Sequence, residues 1–268
     1  MKNDSLPPTY DVVVTDQNNK KRKAAIPGES PLTIKVDGRE IVTVMTMGTY
    51  PRELVLGFIR NQGLIKEIDD VESVNINWDT ETANIQIKQG KGLNGIRESL
   101  SKRTITSGCG GGTLFAQNMD ELYEMKLPVL KIRQSTIYGL LKKLKDYNSI
   151  YRQAGSVHGC GLCNADEVLF FYEDVGRHNA ADTIAGRMWI DGITGGDKIL
   201  YTTGRLTSEI VIKAAMMGIP ALLSRSGVTK MGLELAQDLS LTLIARARAK
   251  KFFVYNADEN VIFDEAQP

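Results

Sequence analysis

The chain has 268 residues, 42% hydrophobic and 24% charged, which is enough to bury one large core or a core with a smaller unit and excludes wholesale disorder. Its formal net charge of +1 excludes a global basic field of the kind that attracts nucleic acid, so an anionic ligand needs a local cluster of cations. The longest apolar stretch, Ala214 to Leu223, is broken by Gly218 and Pro220 and falls well short of the roughly 20 residues of a membrane span.

In chain order, Asp11 to Thr15 reads as a strand, followed by a polar, basic turn from Asn18 to Lys23. Leu32 to Val36 and Ile41 to Met45 alternate apolar and polar residues around Asp37-Gly38, a dipeptide that favours the positive φ of a tight hairpin. Thr49, with Pro51 just inside, opens a helix carrying Leu54, Phe58 and Ile59 and ending near Gly63. Val71 to Trp78 and Thr82 to Lys88 follow as short strands. Gln134 to Tyr147 is a helix with Ile137, Leu140, Leu141 and Leu144 on one face. Beyond it, buried strands at Val168–Tyr172, Lys198–Thr202, Ala221–Ser224, Leu241–Ala245 and Phe252–Tyr255 are separated in part by helical patterns. Those patterns cover Asn179–Trp189, Thr207–Gly218 and Thr229–Leu239. Such alternation predicts a parallel or mixed sheet covered by helices, with a boundary near residue 130.

Several residues could carry chemistry. Cys109 lies among Gly108, Gly110, Gly111 and Gly112, which leave the backbone free and the sulfur uncrowded. Cys160 and Cys163 form a C-G-L-C run two residues after His158. The spacing suits a redox dithiol, half a zinc site, or simply small residues of a buried strand. Three cysteines are an odd number, and Met1 to Tyr10 has no apolar run of a secretory signal, so a reducing, cytoplasmic setting is expected. Glu173 to Asn179 and Gly204-Arg205 each follow a strand and precede a helix, places where polar groups meet ligands. Arg246, Arg248, Lys250 and Lys251 could bind phosphates, or be an ordinary solvated charge run.

The sequence resembles the FdhD family of formate dehydrogenase accessory sulfurtransferases. The resemblance rests on Glu173-Asp174-Val175-Gly176-Arg177-His178-Asn179-Ala180, on Thr203-Gly204-Arg205 with Ser208-Glu209-Ile210-Val211, and on Lys213-Ala214-Ala215-Met216. Ser224-Arg225-Ser226, Glu29-Ser30-Pro31-Leu32 and Glu53-Leu54-Val55-Leu56-Gly57-Phe58 extend it over nearly the whole chain. It implies an α/β fold: a cytidine-deaminase-like three-layer core with a mixed sheet over 131–268. A smaller β-rich N-terminal part over 1–130 would carry the Cys109 loop. It also implies a homodimer that takes sulfur from a cysteine desulfurase as a persulfide and passes it to the bis-molybdopterin guanine dinucleotide molybdenum cofactor of formate dehydrogenase.

Carried over by the same resemblance, Cys109 is the sulfur carrier, and Arg246, Ala247, Arg248, Ala249, Lys250 and Lys251 form the cofactor-binding stretch. No metal bound directly by the protein, no nucleic acid and no membrane are expected. This chain departs from the family pattern in having Gly112 where a second loop cysteine stands, and Ala249 and Lys250 at glycine positions. A one-cysteine relay remains chemically possible, with Cys160 and Cys163 as conceivable substitute thiols. A non-catalytic cofactor chaperone is the alternative. A zinc nucleobase deaminase lacks its ligand pattern, since Pro220 is followed by Ala221-Leu222-Leu223.

Overall fold

A computed structural model describes residues 4–89, 122 and 124–265. The predicted Cys109 loop lies outside them. Strands β1 (Thr9–Thr15) and β2 (Lys21–Pro27) form an antiparallel ribbon. The expected turn of residues 18–23 is therefore tighter: Asp16 Oδ1 accepts from the Asn18 and Lys20 amides, and Lys21 already belongs to β2. A ribbon exposed on both faces has no apolar alternation to announce its second strand.

A four-stranded sheet of order β4-β3-β6-β5 follows, from β3 (Ser30–Val36), β4 (Arg39–Thr46), β5 (Val71–Asn77) and β6 (Thr82–Ile87). Its hairpin turns at Asp37-Gly38, with φ of 47° and 77°, as the dipeptide predicts. Helix α1 (Pro51–Asn61) packs Leu54, Val55, Phe58 and Ile59 onto this sheet.

The core sheet has six strands in the order β13-β12-β11-β10-β8-β9. They are β8 (His158–Cys163), β9 (Val168–Asp174), β10 (Ile199–Thr202), β11 (Ala221–Ser224), β12 (Thr242–Arg248) and β13 (Lys251–Asn256). Strands β10, β11 and β12 run parallel, whereas β8 and β13 are antiparallel to their neighbours, so the sheet is mixed. A two-stranded pair, β7 (Ile132–Arg133) with β14 (Val261–Ile262), lies outside it. The crossover helices α4 (Arg177–Ile190), α5 (Ser208–Met216) and α6 (Lys230–Asp238) step across the sheet in one direction. Right-handed crossovers then put all three on one face. The core there holds Leu162, Leu200, Leu222 and Leu243 against Ile184, Ile210 and Leu235. Helix α2 (Gln134–Tyr147) covers the opposite face with Ile137, Leu140, Leu141 and Leu144, and the short α3 (Ser149–Ala154) follows it. Three layers result. None of the helices among the described residues is long and apolar enough to cross a membrane.

The two sheets are joined by α1 lying on α4. A Cβ at Gly57 would stand 1.7 Å from the Asp182 carbonyl oxygen, and one at Gly186 would stand 1.8 Å from that of Glu53, so glycine is required at both. Beside this contact, buried Lys213 pairs with buried Asp182, whose Oδ1 also accepts from Asn61 Nδ2 at 2.7 Å. Asp174 makes the second joint. Its Oδ2 accepts from Thr46 Oγ1 at 2.6 Å and the Met47 amide at 3.1 Å, and its Oδ1 from the Gly176 amide and Asn179 Nδ2.

Gly186→Leu forces the helices apart and should cost about 3 kcal/mol or more in urea unfolding. Gly139→Ala, on the exposed side of α2 with nothing within 4 Å, should instead add up to about 1 kcal/mol. Asp174→Asn cannot accept from all four donors and should cost about 2–4 kcal/mol by the same measurement, with Thr46→Val costing less.

Candidate functional site

Strand direction brings the carboxyl ends of β9, β10, β11 and β12 to one edge of the core sheet, together with the start of β8. Five polar connections therefore converge where α/β sheets bind ligands. The acidic residues of the Glu173–Asn179 segment are occupied in holding it in place. Glu173 accepts from the Ile150 and Tyr151 amides at 2.9 Å each, fixing the first turn of α3, and Asp174 is the joint described above. Burial pushes the Asp174 carboxyl above the usual range, opposed by its hydrogen bonds.

On the α2 face of this edge lies a cleft of about 560 Å³. Lys145 and Asn148 reach it from the end of α2, Tyr151 and Arg152 from α3, Tyr201 from β10 and Arg225 from the end of β11. Ala247, Arg248 and Ala249 complete it. Lys145, Arg152, Arg225 and Arg248 make the lining strongly cationic, and no carboxylate lines it among the described residues. Arg152 donates to the Lys145 and Asp146 carbonyls, occupying the negative end of α2. The Arg225 guanidinium lies 5.5 Å from the centre of the Tyr151 ring. The Tyr201 hydroxyl is pushed up to about 12, chiefly by burial, so it keeps its proton and can donate. Asn148 is only 7% exposed; its Nδ2 donates to the Leu144 carbonyl while Oδ1 has no hydrogen-bond partner among the described residues. The arrangement suits a phosphorylated ligand with a polar ring system.

The basic stretch expected to bind the cofactor is divided by its backbone. Arg246 sits at a bulge with φ of 51°, its amide donating to the Ser226 carbonyl at 2.7 Å, and its guanidinium lies over the Phe253 ring at 5.9 Å. Ala249, with φ of 52°, turns β12 into β13. Ala247, Arg248 and Ala249 thus line the cleft, while Lys250 approaches Glu265 Oε2 at 3.9 Å and the Tyr138 ring at 5.9 Å. Lys251 is exposed at the start of β13. Lys145, Asn148, Tyr151 and Arg152 were not found by sequence reasoning, because they are ordinary residues of a helix end until the fold places them. Arg225 carried a signal: it ends a buried strand inside a Ser-Arg-Ser run.

Of the readings open for Cys160 and Cys163, the structure bears out that of small residues in a buried strand. Both are wholly inaccessible, and burial raises each thiol to about 12. Cys160 packs in the core beneath α4 to α6 and Cys163 in the core beneath α2, on opposite faces of β8. They neither meet as a dithiol nor offer a substitute carrier. No group of three His, Cys, Asp or Glu residues that could hold a metal occurs among the described residues.

Residues 27–262 match the family model described as FdhD/NarQ. The sulfur carrier protein FdhD of Listeria innocua is 32% identical, covering 89% of this chain and 92% of its own. That of Staphylococcus aureus is 34% identical over 88% of this chain and 89% of its own. A Desulfotalea psychrophila crystal structure, described as a formate dehydrogenase accessory protein, superposes with a TM-score of 0.74 at 26% identity. It covers 95% of this chain and 98% of its own. A match spanning both sheets, with relatives above 30% identity along most of their length, makes this chain a member of the FdhD/NarQ family.

Proposed function

We propose that the protein is a sulfur carrier that accepts sulfur from a cysteine desulfurase. It passes that sulfur to the bis-molybdopterin guanine dinucleotide molybdenum cofactor, as a substrate held at the sheet edge, for use by formate dehydrogenase. The observation that carries this reading is the cleft: four cations with no opposing carboxylate among the described residues, with Arg248 from the stretch expected to bind the cofactor. Phosphates of a guanine dinucleotide meet convergent guanidinium and ammonium groups there, with the Tyr151 and Tyr201 rings beside them. The names of the relatives support the sulfur-carrying and formate dehydrogenase halves of the reading. We further read the three-layer core as deaminase-like, the assembly as a homodimer and the setting as cytoplasmic.

In this mechanism the Cys109 thiolate attacks the terminal sulfur of the desulfurase persulfide. The donor S–S bond breaks, the desulfurase cysteine leaves as a thiolate, and Cys109 becomes the persulfide. In the second transfer Cys109 leaves as a thiolate, and the reduced molybdenum centre supplies the two electrons that turn sulfane sulfur into sulfide. No disulfide in the Cys109 loop is needed.

Intact mass after incubation with desulfurase and cysteine tests the carrier. The wild type should gain one sulfur and Cys109→Ala none, whereas Cys160→Ala and Cys163→Ala should gain as much as wild type. Formate dehydrogenase fully activated by Cys109→Ala would favour the non-catalytic chaperone instead. Under native conditions a thiol reagent should label Cys109 alone, with the two core cysteines reacting only on unfolding. Calorimetry with guanosine diphosphate tests the cleft: Arg225→Gln and Arg248→Gln should each weaken binding about tenfold, while Lys20→Gln on the β1–β2 turn leaves it unchanged.

A further inference from the structure

The chain has two histidines, and both stand at the same sheet edge as the cleft, on its other face. Cys160 and Leu162 point from β8 into the core under α4 to α6, so His158, in step with them, projects toward the same helices. The cleft instead opens among Leu141, Tyr201 and Ala247, whose side chains belong to the α2 face. From these positions we infer that His158, His178 and Arg205 form an oxyanion subsite separate from the cleft, which takes a phosphate-sized tetrahedral oxyanion.

Charge is the first argument. The groups acting on His158 are Arg177, His178, Arg205 and Arg225, all basic, and together with burial, the larger cause, they hold its imidazole below the ordinary 6.5. Beside His178 stands the Glu209 carboxylate, whose Oε2 lies 2.8 Å from its Nε2. An anion entering beside His158 therefore meets basic side chains.

Unfilled polar atoms are the second argument. Despite the 2.8 Å approach to Glu209, His178 Nε2 is off the hydrogen-bonding direction, and Nδ1, equally buried, has no hydrogen-bond partner among the described residues. Thr207 Oγ1, at the start of α5, is likewise buried with no hydrogen-bond partner among the described residues and does not cap its helix. Thr203 Oγ1 accepts from the Gly159 amide at 3.0 Å and lies 3.3 Å from His158 Nδ1. With that hydroxyl donating to Nδ1, the neutral ring carries its proton on Nε2, free to donate to a ligand. Arg205 is exposed and supplies the guanidinium an entering anion meets first. Donors arriving from β8, α4 and the β10–α5 connection suit a tetrahedral oxyanion better than a planar carboxylate.

Imidazole NMR titration of the full-length protein tests this, with the two signals assigned by His158→Gln and His178→Gln. In a buffer free of oxyanions His158 should titrate below 6.5. Saturating inorganic phosphate should raise the midpoint of His158 by about one unit and move the ring signals of His178. Arg205→Gln should lose at least half of that rise while its tyrosine spectrum stays native. The linked effect on stability has a definite sign. Without ligand the unfolded chain binds the His158 proton first, so stability falls as pH drops below 6.5, and phosphate should suppress that loss. Guanosine diphosphate separates a nucleotide phosphate from a free oxyanion: the former shifts the imidazoles at lower concentration than phosphate does, the latter does not. If it moves the Tyr151 and Tyr201 ring signals while neither imidazole responds to nucleotide or phosphate, the subsite is refuted and the cleft stands. If phosphate moves the imidazoles and the nucleotide leaves the tyrosines untouched, the subsite holds and the cleft reading fails.

Discussion

The Asp174 carboxylate fixes the geometry on which the ligand edge depends. It is buried and accepts hydrogen bonds from the end of β4, from the turn after β9 and from the first turn of α4. A buried carboxylate is costly unless its lone pairs are filled, and here the filling donors come from both sheets. The same hydrogen bonds that stabilise the charge therefore tie the N-terminal sheet to the point where α4 begins. Gly57 and Gly186 allow the helix backbones to meet, and beside them buried Asp182 is held by Lys213 and by Asn61 Nδ2. His178, one residue into α4, inherits its position from that joint.

The topology explains why the edge is open on one side. Helices α4, α5 and α6 fill one face of the sheet, whereas α2 and the short α3 cover only part of the other. A cleft remains between the end of α2 and the turn into β13. Among the described residues no carboxylate lines it, and Glu173 at the same edge is held by the amides of α3. Arg152 in turn spends donors on the carbonyl end of α2, which orients its guanidinium at the cleft wall.

Much of this fold was legible in the sequence where one physical signal was strong. Gln134–Tyr147 declared itself by its apolar stripe, the β3–β4 hairpin by Asp37-Gly38, and Ala221–Ser224 by a short apolar run. The β2 strand was hidden because no face of its ribbon is buried, and β7 and β14 because two residues carry no period. The bulge at Arg246 was equally hidden: alternation alone would send Ala247 to the face of Ala245, but it packs with Ile244. Of the candidate site, Arg248 was singled out within the basic stretch and Arg225 only as part of a Ser-Arg-Ser run of the resemblance, whereas Lys145 and Arg152 become site residues only because α2 ends beside β12. Spacing could suggest a Cys160–Cys163 pair but could not show that the intervening pleat turns the sulfurs to opposite faces.

That last point bears on the proposed relay. A carrier thiol has to reach two partners in turn and ionise near neutral pH. Cys160 and Cys163 fail on both counts, being sealed in separate cores with thiols raised to about 12. The chain has three cysteines, and the proposed relay therefore rests on Cys109. With Gly112 in the same loop there is no neighbouring thiol to expel the bound sulfur as a disulfide forms. In the proposed relay a persulfide on such a carrier would wait for its acceptor instead of discharging internally, and arrival of the cofactor at the cationic edge would time sulfur release.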